Sequence, residues 1–172
     1  MRKVAIFGKP SSGKSSLAKK LSKLNSISYY PLDLIEYKIT GERVSRNEFM
    51  SSHEELVSKE AWIIDGLGFL EAFWQRIDSA DTVIYVDLPY STSYWWASKR
   101  FLMSFYKHPE GWPEGSSVFK GTVATWKYLR LSPNFWNEEL LSKIREKSAG
   151  KTFIHIKKVS QIAELCEQCF AK

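Results

Sequence analysis

The chain has 172 residues, of which 44% are apolar and 26% are charged, and it carries a formal net charge of +6. This length predicts one domain over residues 1–172, and the composition is typical of a soluble globular protein. No apolar stretch approaches the roughly 20 residues of a membrane span, and the N-terminus shows no secretory signal, so a cytoplasmic location is expected.

The chain begins with a short apolar run within residues 1–7, which is typical of a buried strand. It leads directly into residues 8–15, GKPSSGKS, which fit the pattern G-x-x-x-x-G-K-[ST] at every fixed position. Leu17 and Leu21 follow at the spacing of one helical face. Strand, loop and helix in this order are the context in which such a loop binds phosphate. The segment therefore predicts a nucleoside triphosphate site, taken to be for ATP with Mg²⁺, with a simple glycine-rich turn as the alternative.

Each residue type in this loop has a physical reason to be there. Gly8 and Gly13 let the backbone turn tightly and approach phosphate oxygens, and the start of the helix adds unpaired N–H groups. Lys14 can reach the β- and γ-phosphates, and the Ser15 hydroxyl can bind Mg²⁺. The predicted nucleotide-binding residues of this segment are Gly8, Pro10, Ser11, Ser12, Gly13, Lys14, Ser15 and Ser16.

Four further strands alternate with helical patterns along the rest of the chain. The strands are predicted over residues 27–30, 61–64, 82–86 and 152–156, and the helices within 33–60 and over 69–77, 91–105, 117–131, 134–148 and the C-terminus. Proline and glycine predict a loop over residues 106–116. This alternation predicts an α/β fold whose parallel sheet is covered on both faces and binds its ligands at the carboxyl ends of the strands.

Three aspartates, Asp33, Asp65 and Asp87, follow predicted strands at that edge of the sheet. A P-loop needs an acidic partner for Mg²⁺, and Asp65 and Asp87 are both candidates because each directly follows an apolar strand. Spacing does not choose between them, and each could instead be a turn or capping residue. Asp33 is a candidate to orient or deprotonate an acceptor hydroxyl, with an N-cap of the helix starting at Leu34 as the alternative.

The basic residues concentrate in residues 91–130, which carry six lysines and arginines against two glutamates. Tryptophans crowd the same part of the chain. A basic, aromatic segment can bind single-stranded nucleic acid, and it can equally stabilise the charge that develops in phosphoryl transfer. Most of these aromatic side chains are expected to pack lid helices onto the sheet, with Trp112 or Trp126 exposed near a substrate.

Cys166 and Cys169 form a C-x-x-C pattern within the last predicted helix. A redox motif would stand at the start of a helix beside a strand, and two thiols are too few for a closed zinc site. Core packing is therefore expected for both, and His155, on the fifth predicted strand, is also expected to be structural.

Together these segments resemble the P-loop small-molecule kinases related to adenylate kinase, and most closely the branch often labelled DNA topology modulation proteins. The resemblance covers most of the chain, and its most specific parts are WIIDG, ADTVI and DLP at residues 62–66, 80–84 and 87–89. It implies a three-layer P-loop NTPase fold with a five-stranded sheet in the order 2-3-1-4-5, which favours Asp65 as the magnesium aspartate.

The resemblance also implies roles outside the P-loop. Arg100 would reach the triphosphate from a helical lid, and the chain around Lys157 would border the adenine. One departure concerns the arginine that holds the AMP phosphate in adenylate kinases proper, where Phe-Pro-Arg follows Asp-Gly. Here LGF stands at residues 67–69, and the next arginine is Arg76.

These features predict a kinase that moves the γ-phosphoryl group of Mg-ATP to a nucleotide or another small acceptor, as a monomer or a homodimer. Lys14, Asp33 and Arg100 are the predicted catalytic residues. Residues 33–60 are expected to bind the acceptor, and residues 100–130 to form a lid-like insertion. The alternatives are an ATP-sensing regulator that binds nucleic acid and a simple NTPase. No motif identifies the acceptor.

Overall fold

The computed structural model of the chain describes residues 1–38, 42–104 and 118–170. Five parallel strands form one sheet in the order β2-β3-β1-β4-β5. Their bounds are β1 Lys3–Gly8, β2 Tyr29–Pro31, β3 Trp62–Asp65, β4 Thr82–Val86 and β5 Thr152–Ile156. The predicted fold class and strand order are confirmed.

Eight α-helices are described along the chain. They are α1 Lys14–Asn25, α2 Asp33–Glu36, α3 Arg46–Ser58, α4 Leu70–Ser79, α5 Tyr90–Met103, α6 Val118–Leu131, α7 Glu138–Lys147 and α8 Val159–Phe170. One difference from the predicted helices is local: a 3₁₀ turn, Ser132–Asn134, precedes α7. The helical pattern predicted within residues 33–60 corresponds to α2 and α3. The loop predicted over 106–116 lies outside the described residues.

Each face of the sheet carries its own buried cluster, as expected for a parallel sheet covered on both sides. Helices α1 and α8 cover one face, where Leu17, Leu21 and Cys166 are buried with Val4 and Ile6 of β1. Cys169 packs against the same cluster, so core packing of both cysteines is confirmed.

Helices α3, α4 and α7 cover the opposite face. Phe7 and Trp62, from β1 and β3, are buried there beside Phe49 of α3, Phe73 of α4 and Ile144 of α7. Side chains alternate between the two faces along a strand, so β1 contributes residues to both clusters. The loop that follows β1 therefore begins between two packed layers.

The register of the strands determines which residues meet at the carboxyl edge. β1 lies between β3 and β4, with Ile6 opposite Asp65 and Gly8 opposite Val86. Asp65 and Asp87 therefore both emerge beside the loop that follows β1, and strand order alone does not choose between them. Among the described helices, none has the length and hydropathy needed to cross a bilayer.

Candidate active site

The loop between β1 and α1 adopts a backbone path that requires glycine at both of its fixed glycine positions. Gly8 has φ +148°, and a Cβ there would lie 2.0 Å from the Val86 carbonyl oxygen. Gly13 has φ +84°, and a Cβ there would lie 2.8 Å from the Trp96 ring. The sheet on one side and a tryptophan on the other thus hold the loop in a narrow space.

The loop and the first turn of α1 present groups that suit a phosphate. Gly13 is the N-cap residue of α1 and has no side chain, so no side-chain cap accepts a hydrogen bond from the amide groups of the first turn. The Ser12 hydroxyl is buried and has no hydrogen-bond partner among the described residues. Lys14 Nζ donates a 2.6 Å hydrogen bond to the Lys9 carbonyl, within the loop itself. A bound phosphate would satisfy these amides and this hydroxyl, so the residues fit a triphosphate.

Asp65 accepts a hydrogen bond from the P-loop serine. The Ser15 hydroxyl donates a 2.6 Å hydrogen bond to Asp65 Oδ2, and the Tyr29 hydroxyl donates one of 2.9 Å to Asp65 Oδ1. Burial, followed by the Asp65 charge, raises the pKa of Tyr29, so this phenol stays a donor. Ser15 and Asp65 together supply the hydroxyl and carboxylate oxygens that suit Mg²⁺.

Asp87 belongs to a different set of contacts. Its carboxylate accepts a 2.6 Å bond from Lys9 Nζ and lies 3.1 Å from His155 Nε2. The buried Lys9 ammonium also lies 4.3 Å from the centre of the Tyr90 ring, and the Tyr90 hydroxyl is 3.1 Å from Ser132 Oγ. Asp87 is paired with a lysine and does not line the cleft, which favours Asp65 over Asp87 as the magnesium aspartate.

One cleft of about 520 Å³ brings together the three predicted catalytic residues, Lys14, Asp33 and Arg100. Burial lowers the pKa of Lys14 to about 8, while the Asp65 and Asp33 charges oppose that shift and the Arg100 charge adds to it. Both predicted cations thus line the same cleft as the P-loop.

Asp33 faces the cleft from the start of α2. It is the first residue of that helix, whose N-cap is Leu32, and no side-chain cap is formed, so the capping alternative is wrong. The carboxylate is exposed to the cleft, where partial removal from bulk water, followed by the nearby Asp65 charge, raises its pKa. Such a carboxylate is a stronger proton acceptor than an ordinary aspartate.

The wall opposite Asp33 comes from α6 and the turn after it. It is mainly apolar and aromatic, and consists of Thr125, Tyr128, Leu131, Ser132, Phe135 and Trp136. Sequence reasoning missed this wall because no motif marks it, and helical periodicity does not tell an aromatic facing a cleft from one in the core. Of the tryptophans expected near a substrate, Trp126 does not line the cleft and Trp112 lies outside the described residues.

A second cavity, of about 340 Å³, adjoins the P-loop on the side of α8. It shares Gly13 and Ser16 with the cleft and is otherwise lined by Leu17, Lys20, Trp96, Val159 and Ile162. Lys157 is exposed, and its backbone N–H donates to Gln161 Oε1 at 2.7 Å. Val159 thus lines this cavity from the segment predicted to border adenine, whereas the Lys157 side chain does not.

Arg76 is buried and serves the loop after β3. Its guanidinium donates to the carbonyl oxygens of Gly66 at 2.8 Å and Leu67 at 3.1 Å, while its Nε and Nη1 have no partner in the described part of the chain. Gly66 and Leu67 line the cleft, so the hydrogen bonds from Arg76 stabilise backbone that forms part of its wall.

No protein-family model and no curated protein matches the sequence. Solved structures nevertheless share its fold. A shikimate kinase from Acinetobacter baumannii, in complex with shikimate, aligns over 98% of this chain and 90% of its own, with a TM-score of 0.53 and 12% identity. An uncharacterised protein from Eubacterium ventriosum aligns over 98% of both chains, with a TM-score of 0.53 and 15% identity. The chain therefore has the fold of a P-loop kinase.

Proposed function

We propose that this protein is a kinase that moves the γ-phosphoryl group of Mg-ATP to a hydroxyl group of a small molecule. One observation carries the proposal: a single cleft contains the P-loop, the cations Lys14 and Arg100, and the carboxylates of Asp65 and Asp33. A triphosphate site needs the loop, the cations and one carboxylate. The further carboxylate, Asp33, supports transfer to an acceptor over hydrolysis alone.

The residues of the P-loop would hold the nucleotide and its metal. Amide groups of the loop and of α1 would donate to phosphate oxygens, and Ser15 with Asp65 would hold Mg²⁺. When bound, Mg²⁺ neutralises charge on the β- and γ-phosphate oxygens. Lys14 would exchange its bond to the Lys9 carbonyl for the phosphates, where Arg100 would join it in stabilising the developing negative charge.

The second cavity supports a place for the nucleobase. It opens beside Gly13 and Ser16, which also line the phosphate cleft, and its walls include the Trp96 ring and the exposed Val159. A flat base could stack on this apolar surface. The backbone that carries Lys157 would then run beside the base, as the family resemblance implies.

Asp33 would act on the acceptor. Its raised pKa and its exposure to the cleft suit a group that orients a hydroxyl and accepts its proton. The motifs WIIDG and DLP support kinship with the adenylate kinase-related group. In the position of that group's AMP-binding arginine, however, this chain has LGF at residues 67–69.

The test compares the wild type with Lys14→Met, in which the charge is lost at similar length, and with Lys23→Met as a matched control on the exposed side of α1. ADP release is followed with Mg-ATP and a panel of nucleosides, nucleoside monophosphates and hydroxylated metabolites, and products are identified by mass spectrometry. We expect Lys14→Met to lower kcat by about 100-fold or more while its unfolding curve stays close to that of the wild type. Lys23→Met should be fully active.

Two results would contradict the proposal. Full activity of Lys14→Met would remove the P-loop from the mechanism. Release of ADP that no acceptor accelerates, with no phosphorylated product, would identify an NTPase instead.

A further inference from the structure

The charged residues that line the cleft bear on the acceptor of the proposed kinase. Among the described residues that line the cleft, Lys14 and Arg100 are the cations, and the proposed function assigns both to the triphosphate. Asp33 and the aromatic wall are then left to contact the acceptor. We infer that the acceptor is an uncharged, hydroxylated compound with a flat ring, of the nucleoside class, rather than one bearing a phosphate or carboxylate. This inference rests on the proposed kinase function.

Two arginines of the predicted acceptor-binding region are already paired with glutamates. Arg43 forms a 2.5 Å ion pair with Glu36, and its guanidinium lies 4.5 Å from the centre of the Phe69 ring. Arg46 pairs with Glu71. Moving either arginine onto an acceptor anion would break a pair that already exists, which reduces any gain in binding.

Arg76 already donates hydrogen bonds to backbone carbonyls and is not free to bind an acceptor anion. It is completely buried, and its guanidinium donates hydrogen bonds to the carbonyls of Gly66 and Leu67, two residues that line the cleft. Withdrawing it to reach a ligand would leave those carbonyls without these donors in a buried setting, which is costly. The arginine nearest in sequence to the Asp-Gly motif therefore shapes the loop instead of binding an acceptor anion.

The Asp33 carboxylate disfavours an anionic acceptor directly. It lines the cleft, and its pKa is raised by burial and then by the Asp65 charge, while the Lys14 charge opposes that shift. An acceptor phosphate beside Asp33 would place a second negative charge next to this carboxylate, and like charges at such distances destabilise one another. A neutral hydroxyl, by contrast, can donate a hydrogen bond to the Asp33 carboxylate.

The opposite wall suits a flat ring. Trp136 is held in place because it stacks on Tyr85 at 5.5 Å between ring centres and meets Phe135 edge-on at 5.0 Å. Tyr128 is 67% exposed and lines the same cleft. A rigid aromatic wall stacks a planar ligand at little entropic cost.

The reaction balances without a further reactant. The acceptor hydroxyl oxygen forms a bond to the γ-phosphorus of ATP, and the bond from that phosphorus to the β–γ bridging oxygen breaks. The hydroxyl proton passes to Asp33 and then to water. ADP leaves, and the product is the phosphate monoester of the acceptor.

The first experiment uses matched pairs of acceptors that keep the same 5′-hydroxyl and differ by a charged group: thymidine against thymidine 3′-monophosphate, and deoxyadenosine, deoxyguanosine and deoxycytidine against their own 3′-monophosphates. The wild-type enzyme with Mg-ATP should give a kcat/KM at least about tenfold higher for the uncharged member of its preferred pair, which corresponds to 1.4 kcal/mol. Preference for the monophosphate would overturn the inference and leave the kinase proposal standing. Phosphorylation of no member, with a hydroxylated metabolite phosphorylated instead, would also overturn the inference and leave the kinase proposal standing.

The second experiment changes the wall. Tyr128→Ala should raise the acceptor KM about 3- to 10-fold with little change in the KM for ATP, and Tyr128→Phe should restore it. Trp95→Ala is the control, because Trp95 is 61% exposed and lines neither cavity. Leu131→Arg would add a cation at an exposed position of the wall, and we expect it to move the kcat/KM ratio towards the monophosphate by about tenfold. An unchanged ratio in Leu131→Arg, or an equal effect of Trp95→Ala, would contradict the assigned acceptor surface.

Discussion

The Ser15 hydroxyl donates a 2.6 Å hydrogen bond to Asp65 Oδ2 and so joins the last residue of the P-loop to the end of the neighbouring strand. Parallel pairing of β1 with β3 brings the two elements together, although the residues are far apart in the sequence. A hydroxyl and a carboxylate held at this distance form a pair of oxygen ligands that is arranged before any metal arrives.

This pair predicts how the enzyme depends on magnesium. Asp65→Asn keeps the shape of the side chain and removes its charge, so the Mg²⁺ concentration for half-maximal activity should rise about 10- to 100-fold. Asp87→Asn is the control and should leave that concentration unchanged, because its carboxylate pairs with Lys9. Titration of activity with Mg²⁺ at saturating ATP measures both. A shift in the Asp87 variant alone would reverse the assignment.

The protonation of Lys14 predicts the pH dependence of nucleotide binding. Burial lowers its pKa from 10.5 to about 8 in the free protein, and bound phosphates should raise it again. Between the pKa of Lys14 in the free protein and its higher pKa in the complex, ATP binding is therefore coupled to proton uptake. Affinity for ATP should fall as the pH rises above about 8, by at most tenfold per pH unit. Calorimetry at pH 9 in two buffers of different ionisation enthalpy measures the uptake. Lys14→Met should show none, and equal heats for the wild type would contradict the prediction.

The Lys9–Asp87 ion pair predicts a coupling in stability. The Lys9 side chain is only 5% exposed, so Asp87→Asn should leave a buried ammonium without its charged partner and cost about 3 kcal/mol of unfolding free energy. Lys9→Met combined with Asp87→Asn should recover most of that loss, because no buried charge then remains. Urea unfolding of the wild type, both single variants and the double variant forms a double-mutant cycle that measures the coupling free energy between Lys9 and Asp87. Additive effects would show that the pair contributes no coupling.

The buried His53 predicts sensitivity to acid. Burial, followed by the Arg76 charge, lowers its pKa from 6.5 to about 4, so the unfolded chain binds a proton that the folded chain does not. Stability should therefore fall as the pH drops from about 6.5 to about 4, by at most about 1.4 kcal/mol per pH unit from this group. His53→Phe keeps the stacking on Phe49 and should lose less stability between pH 7 and pH 5. Identical losses in urea unfolding would rule out His53 as the cause.

Local patterns were enough to predict the parallel sheet and the glycine-dependent loop after β1, whereas the strand order came from the family resemblance. The P-loop is contiguous, and an aspartate directly after an apolar strand must lie at the sheet's carboxyl edge whichever strand it follows. The choice between Asp65 and Asp87 was different, because both strands flank β1 and only the partners Ser15 and Lys9 separate them.

The acceptor side could not be predicted in the same way. Trp136 and Trp126 look alike in a helical pattern, and only packing on Tyr85 places the former at the cleft. The role of Arg76 likewise depends on two carbonyls brought to it by a turn after β3. Contacts of this kind join segments whose spacing carries no periodic signal.

The contacts of Lys9 have a consequence for how this protein can change in evolution. Its ammonium lies against both Asp87 and the Tyr90 ring, and the Tyr90 hydroxyl lies 3.1 Å from Ser132 Oγ in the aromatic wall. A neutral residue at position 9 would remove the cation that both the Asp87 carboxylate and the Tyr90 ring contact, while Asp87 would keep its contact with His155. Among homologous sequences, positions 9, 87 and 90 should therefore be replaced together rather than singly, and a lineage that lost the lysine would be free to remodel its acceptor wall.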